Sequence, residues 1–561
     1  MTQQVGLGGW RLSGLRLPLD HGPDALEAAI VRRLRLEPGQ LRHWNLVKRS
    51  VDARRKDGIR LVYSVDLEVE VPPPVQQRLR RRWQADAQLQ PRPDSTYQLP
   101  HVSAAAAGAL RPVVVGAGPC GYFAALLLAQ MGLRPLLLER GKAVKQRSAD
   151  TFGFWRGQRP FDPESNAQFG EGGAGTFSDG KLYSQVSEPL PYQRKVLEEL
   201  VAAGANPDIL TLHHPHIGTF KLATVVRGLR QRIADLGGSV RFESRVERLL
   251  LDPRDRRVQG VVLADGETIA ASQVVLAPGH SARDLFATLQ QQGVELVAKP
   301  FAMGVRIEHP QALIDRARWG AAAGHPRLGA AEYKLVHHCS GEGLEGRSVW
   351  SFCMCPGGLV VGATSEEGMV VTNGMSQHSR NERNANSGLV VNITLDDLAP
   401  YGSGPGDPLA GVAFQRHWEA KAYALGGCSY AAPSQRVGAF LGGSDPVTAA
   451  VLPSYQPAVR DCDISQCLPG FVSAALRQAL PVFAQRIPGY ADADALMTAV
   501  ETRTSSPVRL PRGSTSLESC NTPGLYPAGE GAGYAGGILS AAIDGIKVAE
   551  QVALALERGL G

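Results

Sequence analysis

Apolar and polar positions follow two periods along this chain, that of a half-buried strand and that of an amphipathic helix, and changes in their pattern divide it into four stretches. In the first hundred residues LSGLRLPLD and IRLVYSVDLEVE alternate apolar and polar, as half-buried antiparallel strands do. WNLVKRSVDAR reads as another strand, joined to the second of these through a Lys-Asp-Gly turn. Leu26, Ile30 and Leu34 give PDALEAAIVRRLRL the single apolar stripe of an amphipathic helix. The pattern predicts a small α+β, ferredoxin-like module over residues 1–100. Residues 72–110, with VPPPV, QPRPDS and SAAAAGAL, read as an arm and linker.

The second stretch opens with RPVVVGAGPCGYFAALLLAQMGLRPLLLER, residues 111–140. A β-branched strand runs into Gly116, Gly118 and Gly121 at G-x-G-x-x-G spacing, a helix follows, and a second strand ends on Glu139. Gly116 permits the tight turn, Gly118 admits a pyrophosphate to the backbone, and Gly121 lets the helix pack on the sheet. The pyrophosphate rests on the N–H groups and positive dipole end of that helix. Glu139 is placed to accept the hydroxyls of an adenosine ribose, where a carboxylate disfavours a 2′-phosphate. Although Val113 to Leu133 carries no charge, its turn glycines and proline argue against a membrane span.

Beyond this unit, NAQFGEGGAGTFSDGKLYS, residues 166–184, is a glycine loop of the kind that approaches something closely. Residues 220–237 read as an amphipathic helix. Three strand segments follow, turning at Asp265-Gly266, and the last, SQVVLAPGH, returns to the central sheet. Residues 295–500 carry short strands and long loops, as an inserted mixed α+β substrate domain would. GLYPAGEGAGYAGGILSAAIDGIKVAEQVALAL, a strand, glycine turn and long helix, then completes the nucleotide domain. The expected order is residues 1–100, a nucleotide domain over 101–294, the insertion over 295–500, and the return over 501–561. The fold class is α/β, built on a Rossmann-like domain.

Composition changes this picture in two places. Residues 1–100 hold 17 Lys and Arg against 11 Asp and Glu, which accounts for the whole net charge of +6. Such a module suits RNA or an acidic partner, or, with 48 Arg beside 11 Lys overall, it follows a compositional habit and its arginines form solvated faces. The eight cysteines show neither a C-x-x-C pair nor zinc spacing, so reduced thiols are expected. Cys353 and Cys355 alternate within SFCMC, either as a redox pair or as small apolar residues on one sheet face. No charged segment leads into an apolar one at the N-terminus, and a soluble cytoplasmic protein is expected.

Together, GAGPCG, QFGEGGAGTFSDGKL, VVLAPGHSARD, ETRTSSPVRLPR and GLYPAGEGAGYAGGILSAAIDG resemble a family of uncharacterised bacterial FAD-dependent dehydrogenases. More broadly they resemble flavoproteins of the glutathione-reductase and hydroxybenzoate-hydroxylase kind. The resemblance covers nearly the whole chain and implies extended, non-covalent FAD. It puts Gly116, Gly118 and Gly121 at the pyrophosphate, Glu139 at the ribose, Arg140 beside the adenine and Val246 at the adenine through its main chain. Gly279 falls below the ribityl chain, and Gly529 and Glu530 face its hydroxyls. Gly537 and Ile538 open a helix toward the flavin, and Gly173, Ser178 and Lys181 lie along the ring. Pro278 stands where aromatic hydroxylases of this group carry aspartate, which counts against a flavin monooxygenase. No second G-x-G-x-x-G follows a strand, so any NAD(P)H would bind transiently.

Flavin carries the hydride chemistry, leaving the protein to place a substrate and move a proton. Lys181, Arg503 and Arg509 are the candidate catalytic residues, the two arginines as paired donors to a carboxylate or phosphate. Glu501 and Ser506 stand beside them, and an alternative pairs Glu501 with Arg503 to lock a loop. Arg306, Glu308 and His309 could supply a proton, or His309 could be satisfied by backbone. His213, His214 and His216 lack the carboxylate or cysteine company of a metal site, and no metal is assigned. The expected protein is an FAD-dependent oxidoreductase acting on a small, anionic organic substrate, with an RNA-associated flavoprotein as the alternative.

Overall fold

The computed structural model describes residues 5–108, 110–183, 189–443 and 450–559, so Ser184 at the end of the glycine loop lies outside the described residues. The N-terminal strands Val5–Pro18, Leu41–Asp52 and Arg60–Val71 form an antiparallel sheet with Leu89–Pro91. Spatially the order is second, third, first, fourth, with helices Ala25–Leu34 and Pro73–Gln84 inserted after the first and third strands. This is the ferredoxin-like arrangement. Alternate residues of Arg60–Val71, from Leu61 through Val65 to Val71, are buried, as the period of two predicts. The reading of residues 72–110 as arm and linker is corrected in its first half. Helix Pro73–Gln84 and strand Leu89–Pro91 complete the module, because Leu79 and Trp83 are buried and Trp83 packs edge-on against Trp10. Pro72 and Pro73, which looked like linker, open that helix, where a missing N–H costs nothing.

The nucleotide-type domain is built on a five-stranded parallel sheet in the order Leu525–Pro527, Val274–Leu276, Val113–Val115, Leu136–Leu138, Ser239–Arg241. Its central strands are short, apolar and buried on both faces, as parallel strands between two layers are. Val114, Leu137 and Val275 pack on helices Pro119–Gln130, Thr219–Asp235 and Ile538–Arg558. Val113, Val115 and Leu276 face the antiparallel meander of Val246–Leu251, Val258–Leu263 and Thr268–Ala270. Gly121 explains how close the first helix comes. A Cβ there would strike the Gly116 carbonyl, so only glycine lets the helix rest on the turn that starts it.

A further sheet has eight strands. Its main path runs Val336–His338, Ser348–Gly362, Asn384–Ile393, Phe301–Pro310, Leu496–Glu501, Ala432–Arg436, Val459–Asp461, with Thr372–Ser376 beside Ser348–Gly362. Helix Gly470–Arg486 covers one face, and its core is continuous with that of the N-terminal module. Among the described residues no helix is long and apolar enough to cross a membrane.

Candidate functional site

A cavity of about 780 Å³ begins at the C-terminal ends of the parallel strands, where Val115, Leu138, Ala277 and Ala528 line it. It continues to the edge of the mixed sheet. Gly116, Gly118, Glu139, Arg140, Gly173, Ser178, Lys181, Val246, Gly279, Gly529, Glu530, Gly537 and Ile538 all line it, as does Arg503. Gly121 and Arg509 do not. Gly121 lets the helix pack on the glycine turn, and Arg509 is exposed, its guanidinium 5.1 Å from the centre of the Tyr534 ring and bonded to the Gly533 carbonyl.

The near end is a cradle of backbone. A Cβ at Gly173 would come within 2.9 Å of the Gly118 Cα, so the glycine turn and the glycine loop touch through bare backbone. By contrast, a Cβ at Gly279, Gly536 or Gly537 would meet nothing within 4 Å. Buried Glu139 organises the turn: it accepts N–H groups from Gly141 at 2.9 Å, Gly170 at 2.8 Å and Ala117 at 2.8 Å. Arg147, fully buried, binds the carbonyls of Asn166, Glu171 and Gly173 and thereby holds the loop in shape. The sequence carries no motif that marks Arg147, which sits in an ordinary helix, Val144–Trp155. Arg140 stacks 4.0 Å above Phe169 while pairing with Glu164 and Asp284.

The arginines are sorted differently from expectation. Glu501 pairs with Arg306, at 2.8 and 2.9 Å, and not with Arg503. Arg503 spends its donors on Glu419, Ser281 and Ser365, so it and Arg509 do not form a joint anion clamp. Burial works against the Glu419 carboxylate, yet Arg283 and Arg503 hold it down at about 2. His280 is pushed down to about 3, mainly by burial and then by Arg503 and Arg283, and is neutral. Arg306, Glu308 and His309 lie outside the cavity lining. Glu308 bonds Ser454 and Asn384, and the His309 Nε2 lies 2.7 Å from the Tyr490 carbonyl oxygen. Among the described residues no cluster of three metal-ligating side chains occurs, and His214 stacks on Tyr183 with its rings 4.3 Å apart.

Lys181 is held twice, by an ion pair to Asp179 at 2.9 Å and by a hydrogen bond to the Met354 carbonyl. Burial lowers its affinity for a proton, but Asp179 more than reverses this and keeps it a cation. The far wall was missed by sequence reasoning: Tyr183, Lys334, Leu335, Val336, Trp350, Phe352 and Cys353 come from two loops and from two strands of the mixed sheet. No local motif announces them, because sheet pairing alone brings them to the cavity.

Residues 181–386 match the family model described as FAD dependent oxidoreductase, residues 300–504 the one described as FAD-dependent protein, C-terminal domain-like, and residues 11–68 a domain of unknown function. A protein of Clostridium beijerinckii, itself described as uncharacterized, is 43% identical over 545 residues, covering 97% of this chain and 98% of its own length. The chain belongs to this family of FAD-dependent oxidoreductases. FAD is its cofactor. Solved structures are far more distant. Glycine oxidase from Bacillus cereus is 10% identical with a TM-score of 0.32, covering 80% of this chain and 96% of its own. The halogenase PltM in complex with FAD is 11% identical with a TM-score of 0.37, covering 80% and 70%. E. coli quinol fumarate reductase FrdA is 13% identical with a TM-score of 0.33, covering 80% and 70%. At such distances they carry no argument about the reaction.

Glu530 yields a prediction with a definite sign. Burial raises its carboxyl from 4.5 to about 7, against the pull of the Gly537 N–H and Lys299. Between those values the unfolded chain has released a proton that the folded protein keeps, so stability of the FAD-free protein falls as pH rises from about 4.5 to about 7. Glu530→Gln removes that fall. Melting temperatures of the flavin-stripped proteins across this range check it, and parallel curves for the two proteins would refute it.

Proposed function

We propose that this oxidoreductase moves a hydride between FAD and a small, anionic organic substrate, as a dehydrogenase or a reductase. The observation that carries the reading is the continuity of the cavity, from the glycine cradle to a wall of aromatic and apolar side chains with Lys181 and Lys334 beside them. In this reading Gly116, Gly118 and the helix Pro119–Gln130 hold the pyrophosphate. Glu139 turns its remaining acceptor capacity to the ribose, and Arg140 and Val246 flank the adenine. Gly279, Gly529 and Glu530 meet the ribityl chain, with Gly173, Ser178 and Lys181 along the ring. Bound flavin supplies the hydride donor or acceptor. Gly537 and Ile538 present the positive end of the helix Ile538–Arg558, which favours negative charge on a reduced ring.

The chain's own residues then orient the substrate and supply a proton. Lys181 and Lys334 attract an anion, while Trp350, Phe352 and Val336 bind a planar or apolar body. The Tyr183 hydroxyl donates to Glu332 at 3.2 Å. Burial first, opposed by Lys181 and supported by Glu332, keeps that hydroxyl protonated above the ordinary tyrosine range, so with its one hydrogen given to Glu332 it turns only acceptor lone pairs to the cavity.

The test is anaerobic mixing of the FAD-bound protein with a panel of small organic acids, before and after reduction by NAD(P)H, following flavin absorbance. We expect one class of acid to bleach the oxidised flavin or to reoxidise the reduced one. Lys334→Glu weakens binding of that acid about tenfold, the scale of reversing one exposed charge pair. Formation of a hydroxylated product matched to oxygen consumed would replace this reading with a monooxygenase. Salt-sensitive RNA retention by the full chain, lost on removing Arg78, Arg80, Arg81 and Arg82 from the exposed face of helix Pro73–Gln84, would favour the RNA-associated reading.

A further inference from the structure

Strand Ser348–Gly362 is broken where it passes the cavity. Phe352 pairs with Gly388 and Cys355 with Asn386, so three steps along this strand match two on its partner. Such a bulge gathers the chain and re-aims a side chain. Cys353, in the middle, has φ +43°, the left-handed region that a non-glycine residue rarely occupies without a local reason. As a result Cys353 lines the cavity with Lys181, Asn373, Gly536 and Gly537, while Cys355 is fully buried beneath it. The regular alternation expected of SFCMC is thus replaced by one thiol facing the site and one behind it.

The bulge is clamped by two cations, the buried Arg306 and the half-buried Lys181. Arg306 donates to the Cys353 carbonyl at 3.0 Å and Lys181 to the Met354 carbonyl. The Cys355 thiol donates to the Cys353 carbonyl oxygen at 3.3 Å, which ties the two cysteines together across the bulge. Asp179, Glu501 and Glu530 are the acids nearby, the first two already paired with Lys181 and Arg306. The Cys355 hydrogen bond, and then Lys181 and Arg306, hold the Cys353 thiol well below the ordinary range, the environment of a reactive thiol. A flat strand separates residues two apart by about 6.6 to 6.8 Å, at the upper limit a disulfide spans, and here the strand is bent by the bulge.

We propose that Cys353 and Cys355 form a redox-active dithiol that exchanges an electron pair with the flavin, Cys353 being the sulfur on the flavin side. In the oxidised state the two sulfurs are joined. The S–S bond breaks on accepting two electrons and two protons, giving two thiols, and reduced flavin is the reductant that becomes oxidised. The reverse direction oxidises the dithiol and reduces the flavin. This rests on flavin occupying the cavity, which flavin content measures separately.

The experiment treats the FAD-bound protein, and in parallel the flavin-stripped protein, with a mild disulfide-forming oxidant, then maps alkylation of each cysteine by mass. The expected result in both is protection of Cys353 and Cys355 together, reversed by reductant. Anaerobic reductive titration of the oxidised, FAD-bound protein should take up about twice the reductant needed by flavin alone, since flavin and disulfide are each two-electron couples. Cys353→Ser and Cys355→Ser should each return the titration to that of flavin alone. Full alkylation of either cysteine after oxidation, or a wild-type titration equal to flavin alone, overturns the proposal while leaving the FAD assignment intact. A colourless protein that still protects both cysteines would instead remove the flavin side of the exchange.

Discussion

Glu139→Lys yields a protein that is isolated without FAD, whereas the unaltered chain is yellow and releases FAD, not FMN, on heating. The carboxylate is buried and accepts three backbone N–H groups, from the glycine turn, from its own strand end and from the glycine loop. Hydrogen bonds to a charged partner are each worth about 1.5–3 kcal/mol, and an ammonium can replace none of them, since it has no acceptor. The glycine turn and the glycine loop lose their common anchor, and in the proposed reading the ribose meets a cation in place of an acceptor. We expect FAD retention to fall by at least about a hundredfold, on the scale of one or two such bonds. Chromatography of flavin released from equal amounts of the two proteins decides it. Comparable FAD in both would show that the cradle is held by other contacts.

Arg306→Leu should be the most destabilising single change in the mixed sheet. Arg306 and Glu501 lie on neighbouring strands, are almost fully buried and meet through two bonds, and Arg306 also binds Asn373 and Asn386. Leucine leaves the Glu501 carboxylate without a cation in a site that excludes water, a loss of about 3–5 kcal/mol. Burial without a partner favours the neutral acid, so the loss should be largest at neutral pH and shrink as pH falls and Glu501 takes up a proton. Arg306→Leu with Glu501→Leu should recover much of the stability, because two apolar residues leave no charge stranded. Denaturant unfolding of the single and double variants at two pH values tests both statements. A single variant within about 1 kcal/mol of the parent would mean that water reaches Glu501.

The dinucleotide unit was legible because its chemistry is local. A tight turn, a helix N-terminus and a terminal acid must follow one another within a short span, and GAGPCG to Glu139 shows all of them in order. The same holds for the alternating strands of the N-terminal module. Its second helix was hidden by prolines that also mark linkers, and only the contact of Trp83 with Trp10 distinguishes the two. Arg503 and Arg509 looked like a pair because six positions separate them across a Ser-Pro turn. In the structure one is buried against Glu419 and the other is exposed beside Tyr534.

By itself, then, the sequence determined the glycine turn with its terminal acid, the α/β class and the half-buried strands, all of which depend on spacing between near neighbours. Only the tertiary structure decided which cation meets which acid, which apolar residues wall the far end of the cavity, and that Cys353 lines the cavity while Cys355 does not. The physical reason is that these depend on strands and helices distant in the chain, Glu419 on Arg503 and Arg283, Trp350 and Phe352 on the glycine loop. A bulge of one residue then re-aims a side chain toward the cavity.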